Sequence, residues 1–168
     1  MGKVILVDET DREIGTLDKM QAHRDGSLHR AFSVFIFNKA GEMMLQRRAL
    51  NKYHSPGLWS NTCCSHPGPG EKTADAAHRR LLEEMGFDCP LKSQGSFIYK
   101  VQFENGLHEH ELDHVFTGVF EGVPQINRQE VYTWKWADPD DIREQLAAHP
   151  EQFTYWLKFA METLPLEP

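Results

Sequence analysis

Residues 65–87 read SHPGPGEKTADAAHRRLLEEMGF, and the reading of this stretch decides the fold. From Thr73 to Met85 the apolar positions Ala74, Ala77, Leu81 and Met85 recur at helical spacing, so a helix is predicted there. Gly86 stands where a left-handed residue would end it. Pro67-Gly68-Pro69-Gly70, in front of it, is a rigid loop too short to divide domains. Arg79 with Glu83 and Arg80 with Glu84 are i,i+4 pairs. Each is worth only about 0.2–0.5 kcal/mol, so taken alone they describe a solvated helix face.

Outward from this helix, residues 31–37 (AFSVFIF) read as a buried strand, 38–41 as a turn and 42–47 (EMMLQR) as a returning strand. Residues 96–104 and 107–116 flank Asn105-Gly106, a strong hairpin signal. VYTWKW at 131–136 is a further strand. Asp138-Pro139 opens a second helix, with an acid at the N-cap and Pro at the first position. Residues 151–163, rich in aromatics, give a third. The start, MGKVILVDETDREIG, reads as an edge strand rather than a signal peptide. There is no regular βαβ alternation, so the expected fold class is an α/β (α+β) sandwich around a mixed sheet, in a single domain spanning 1–168.

The 168 residues suffice for one sizeable core, and 40% hydrophobic with 26% charged residues is an ordinary globular balance. No apolar run approaches the ~20 residues that span a bilayer, and a cytoplasmic protein is expected. The net charge of −7 argues against a nucleic-acid binder. The three cysteines, Cys63, Cys64 and Cys89, have no disulfide-framework spacing and are read as reduced thiols.

Two runs carry a resemblance. Residues 65–87 resemble the Nudix box: Gly, five residues, Glu, seven residues, Arg-Glu-apolar, one residue, Glu-Glu, one residue, Gly-apolar. Glu71, Arg79, Leu81, Glu83, Glu84, Gly86 and Phe87 fall in register. Ser65 replaces the first Gly and Arg80 replaces the second Glu. Hydrolytic Nudix enzymes use the box carboxylates to hold divalent cations on a diphosphate, so losing one to Arg weakens the hydrolase signal and adds a phosphate-binding charge. NTCCSHP at 61–67 resembles the signature of the type 1, metal-dependent isopentenyl-diphosphate Delta-isomerases of the Nudix superfamily. RRALNKYHSPGLWSN (47–61) and LHRAFSVFIF (28–37) are similar to that family as well. The likeness runs from about Lys19 to Trp156.

That resemblance implies a set of roles. Cys64 matches the catalytic cysteine, and Glu111 the second proton carrier. Tyr99 would hydrogen-bond Glu111, and Trp156 would offer its π face to a tertiary carbocation. His23, His29, His66, Glu109 and Glu111 match the positions of one octahedral ion, usually Mn²⁺, with Zn²⁺ or Mg²⁺ also considered. Lys19, Arg48, Lys52 and Arg80 match cations that hold the substrate diphosphate, joined by Mg²⁺ on Glu84. The implied substrate is a small prenyl diphosphate, and a monomer that binds neither nucleic acid nor membrane is expected.

Residue chemistry points the same way. Imidazole with carboxylate suits a divalent transition ion better than calcium. HRDGSLH (23–29) is read as a loop that brings two rings to one ion. In LHEHELDH (107–114), period two puts Glu109, Glu111 and Asp113 on one face and His108, His110 and His114 on the other. An ion between the carboxylates would relieve their repulsion. The opposite histidines are read as partly exposed strand residues rather than a second metal site, and Asp113 has no assigned role. Cys64, placed near the start of the helix, would have its thiolate favoured by the helix terminus and nearby cations. Cys63 and Cys89 are read as inert.

Each of these residues also has a plainer reading: a solvated cation, a core Trp, a buried thiol. Two rival functions follow. One is a Nudix hydrolase of nucleoside or other organic diphosphates, against which Arg80 and the Cys64/Glu111 pair argue. The other is a non-catalytic domain stabilised by metal, which leaves the Cys-Ser-His-Pro loop and its basic neighbours unexplained.

Overall fold

The computed structural model describes residues 2–164 and 166–168. Strand β3 (His29–Phe37) organises it. Its whole length pairs in parallel with β8 (His108–Val119), from His29 opposite Glu111 to Phe37 opposite Val119. Its other edge is shared. β1 (Lys3–Val7) meets it at His29, β6 (Cys63–Ser65) lies antiparallel along Phe32–Val34, and β4 (Met43–Arg48) touches it only at Phe37. β4 instead pairs with β5 (Trp59–Ser60) and β9 (Val131–Ala137), and β7 (Lys92–Gln102) closes the far side on β8. The result is a mixed, curled sheet.

The continuous apolar run of β3 has a physical reason: both of its faces are covered. Phe32, Val34 and Ile36 pack with Met44 against Ala76, Ala77, Leu81 and Met85 of α2 (Thr73–Met85). Phe35 and Phe37 pack with Tyr99 and Val115 against α3 (Pro139–Ala148) and α4 (Tyr155–Thr163). Leu81 is wholly buried, and truncating such a leucine to Ala costs about 2–5 kcal/mol. Gly86 ends α2 in the left-handed region at φ 73°, and a Cβ there would lie 2.5 Å from the Gln125 carbonyl oxygen, so only glycine fits. Asp138 caps α3 by accepting from Asp140 N.

Three expectations change. Lys19–Asp25 is a helix, α1, rather than part of a loop: Asp18 accepts from Met20 N and Gln21 N, and Gly26 ends it at φ 71°. Its seven residues are too few for an apolar stripe, so the two caps are its only signal. The edge place goes to β2 (Glu13–Asp18), with β1 inside it. The aromatic C-terminal helix begins at Tyr155, because Trp59 O accepts from Thr154 N and Phe153 bridges to Trp59, which holds the preceding residues extended.

Candidate active site

Register assembles the centre. Glu111 of β8 lies between His29 of β3 and Tyr99 of β7, its partners on either side. Glu109 is two residues back on the same face. α1 places His23 over that face, and the chain leaving β6 adds His66. His23 and His29 use Nδ1 to donate to backbone carbonyls, of Lys19 at 2.6 Å and of Ser27 at 2.9 Å. This fixes the tautomer and turns each Nε2, with its lone pair, inward.

There Glu109 Oε1 lies 2.8 Å from His23 Nε2 and 3.6 Å from His29 Nε2. Glu111 Oε2 lies 3.2 Å from His29 Nε2 and 2.5 Å from His66 Nε2. One ligand atom from each of His23, His29, His66 and Glu109 lies within 4.8 Å of the others. Despite their proximity, His23 Nε2 and Glu109 Oε1 are buried without a partner in hydrogen-bond geometry. Lone pairs crowded onto one point in a buried place repel unless a cation sits among them, and the N/O donor set suits a divalent transition ion. Four of the five predicted ligands therefore converge mutually, and the fifth, Glu111, touches two of them.

The electrostatics follow from burial and pairing. Burial raises a carboxylate, but the charges and hydrogen bonds of His66 and His29 hold Glu111 well below its ordinary range. Tyr99, kept protonated by burial, donates its hydroxyl to Glu111 Oε1. His66 is pushed down to about 4, chiefly by burial.

In front of this cluster opens a cavity of about 390 Å³. Cys64, His66, Glu109, Glu111 and Trp156 line it, and so do Lys19, Arg48, Lys52, Arg80 and Glu84. His23, His29 and Tyr99 stand behind the wall. Phe32, Tyr53 and Trp156 contribute aromatic surface, but most of the wall is polar.

Cys64 needs a correction. It lies on β6, opposite Ser33 of β3. Burial pushes its thiol up to about 12, against the pull of Arg48, so the resting group is the thiol rather than the thiolate. Cys63 is fully buried with its Sγ 3.4 Å from Glu84 Oε2, and Cys89 is half-buried.

The matching family model is the NUDIX domain, over residues 27–157. The chain is 52% identical over 160 residues to isopentenyl-diphosphate Delta-isomerase 2 of Aromatoleum aromaticum, covering 95% of this chain and 85% of that one. It is 51% identical over 163 residues to the isopentenyl-diphosphate Delta-isomerase of Pectobacterium atrosepticum, covering 97% and 91%. The chain belongs to the isopentenyl-diphosphate Delta-isomerase family. Its fold is shared with a Deinococcus radiodurans crystal structure at TM-score 0.80 and 21% identity, covering 95% of this chain and 97% of that one. The MutT protein of Methanosarcina mazei follows at TM-score 0.67 and 18% identity, covering 80% and 91%.

Within this family member the Nudix box has divided its labour. Glu71 accepts a two-pronged bond from Arg79 and one from Gly68 N, which braces the loop before α2. Glu83 is exposed and pairs with Arg79 and Arg80. Of the three box glutamates, Glu84 alone lines the cavity, 3.1 Å from Arg80 Nη2, with Gln46 Nε2 and Cys63 Sγ on its two oxygens.

Glu130 and His54 are among the polar residues of the wall that the sequence does not point to. Glu130 pairs with Lys52 and lies 3.6 Å from Arg80, joining two of the predicted phosphate cations. His54 lies 3.0 Å from Glu109 Oε2. Both sit in connections, where no periodicity marks a face. Arg48 lies over the Trp156 ring, 5.2 Å from its centroid, and Trp156 Nε1 donates to Asn61 Oδ1 at 3.1 Å.

Proposed function

We propose that this chain interconverts isopentenyl diphosphate and dimethylallyl diphosphate. The observation that carries the reading is that Cys64 and Glu111 open onto one cavity whose wall also holds Lys19, Arg48, Lys52 and Arg80. Those four cations bind the diphosphate, Arg as a planar fork and Lys as a point charge, and so fix the five-carbon unit beside the proton carriers. Glu84 is the carboxylate available to a Mg²⁺ ion that enters with the diphosphate.

Isomerisation needs one proton added to the terminal CH₂ and another removed from the CH₂ next to the cation. Cys64 and Glu111 are the two carriers, and each is acid in one direction and base in the other. The resting pair is suited to this, because one holds its proton and the other does not. Tyr99 steadies the Glu111 carboxylate through its hydroxyl. The Trp156 ring faces the tertiary cation, where a desolvated contact is worth about 2 kcal/mol. The ion held by His23, His29, His66, Glu109 and Glu111, Mn²⁺ by preference and Zn²⁺ or Mg²⁺ otherwise, supplies positive charge that keeps both glutamates ionised side by side.

The test is incubation with isopentenyl diphosphate and Mn²⁺/Mg²⁺ in deuterated water. Deuterium-bearing dimethylallyl diphosphate is expected. Release of phosphate with no isomerised product would overturn the reading in favour of hydrolysis.

A further inference from the structure

We propose that His54 is a positioning residue for Glu109: its Nε2–H donates to Glu109 Oε2 and thereby aims Oε1 at His23 and His29. The inference rests on the reading of the His/Glu cluster as an ion site. The carboxylate of Glu109 has two inequivalent oxygens. Oε2 lies 3.0 Å from His54 Nε2, while Oε1 faces His23 Nε2 at 2.8 Å and has no hydrogen-bond partner. A carboxylate is free to rotate about its last bond, so something must choose which oxygen the ion meets. His54 makes that choice through a fixed donor, as groups behind metal ligands generally do.

The ring is itself held on every side. Phe103 stacks on it at 5.0 Å and 10°, while Tyr53 and Trp156 meet it edge-on at 4.6 Å and 5.8 Å. Arg48 binds the carbonyls of His54 and Ser55, and Ser55 adopts the left-handed φ of 49° that the tight turn requires. The Ser55 hydroxyl lies 3.3 Å from Nδ1 and can donate to it, which leaves the ring proton on Nε2. A ring so confined, 6% exposed and aimed at one carboxylate oxygen, is built for orientation.

The experiment measures Mn²⁺ affinity by calorimetry and the visible spectrum of the Co²⁺ form, for wild type, His54→Phe and His54→Gln. Phe keeps the stack on Phe103 but has no N–H, and Gln restores an N–H near the Nε2 position. His54→Phe should bind Mn²⁺ about 10–100-fold more weakly and shift the Co²⁺ spectrum, and His54→Gln should recover most of both. Wild-type affinity in His54→Phe, or equal weakness in both variants, overturns the inference while leaving the ion site intact. Wild-type protein that takes up no Mn²⁺ overturns the ion reading and this inference with it. If metal-free His54→Phe shows no cooperative melt, the comparison is made on His54→Ala with added imidazole. Restored Mn²⁺ affinity then supports the role, and no restoration overturns it.

Discussion

The two faces of β8 carry titratable side chains in opposite surroundings. The inner row, Glu109, Glu111 and Asp113, is almost wholly buried. The outer row, His108, His110 and His114, is partly exposed. Judged by residue type, three histidines two or four apart are the better metal site. In the structure two of them are fasteners: His110 Nδ1 meets the Gly26 carbonyl at 3.0 Å, and His114 Nε2 meets Asp11 Oδ2 at 2.8 Å, joining α1 and the β1–β2 turn to the sheet, while His108 Nδ1 is buried without a hydrogen-bond partner. Burial makes each acid depend on what surrounds it. Glu109 lies against His23 and His54, Glu111 against His29 and His66, and the Asp113 carboxyl is pushed toward its protonated form. What a strand's side chains can do is set by what surrounds them more than by what they are.

The hardest test of that contrast is at Glu111. Glu111→Gln keeps shape and removes the proposed proton carrier, so turnover should fall about 10²–10⁴-fold with the fold retained by circular dichroism. Cys64→Ala should fall into the same range. Near-wild-type isomerisation by either variant would remove that residue from the proton pair. The ion is next. Dialysis against a chelator should abolish activity and lower the melting temperature, and Mn²⁺ should restore both. A melting temperature indifferent to chelation would mean the inner row needs no cation.

Asp113 gives a smaller and more diagnostic effect. Burial, with Glu111 two residues away, raises its pKa well above the ordinary carboxylate value, while Ser33 Oγ donates to it at 2.7 Å. The folded protein therefore binds one more proton than the unfolded chain from the ordinary carboxylate range upward. In that window its stability falls as pH rises, by up to about 1.4 kcal/mol per pH unit. Asp113→Asn removes the group. In metal-free protein its unfolding free energy, measured in urea between pH 5 and 7, should lose that downward slope. An unchanged slope would show Asp113 to be ionised in the fold.

Much of this was legible beforehand, and the reasons differ by element. The helix over 73–85 is thirteen residues with a glycine stop, long enough for its period to show. The alternation in 107–114 gave the inner and outer rows directly, because a strand's period leaves no other choice. The five proposed ion ligands rest on resemblance, since they are spread over α1, β3, β8 and the loop after β6 and no local spacing unites them. α1 was missed because seven residues show caps but no stripe. The thiolate expected at Cys64 gives way to a thiol because burial on β6 outweighs the pull of Arg48, and burial of a single strand residue leaves no mark in the local sequence. His54 and Glu130 lie in connections, whose side-chain directions only the assembled sheet determines.

The least effect belongs to the outer row, and it is what makes the contrast worth testing. His114 and Asp11 are each about a quarter to a third exposed, at 24% and 30% of their side chains, and Arg30 also holds Asp11, at 2.7 Å. His114→Ala removes one of two tethers on a turn whose Asp11 sits at a left-handed φ of 66°. An exposed contact of this kind is worth about 0.2–1 kcal/mol, so a melting shift of a few degrees at most is expected. Isomerisation kinetics and Mn²⁺ affinity should not change. A loss of either comparable to that of Glu111→Gln would mean that the outer face reaches the site through the N-terminal hairpin and α1, and the division between the two rows would no longer hold.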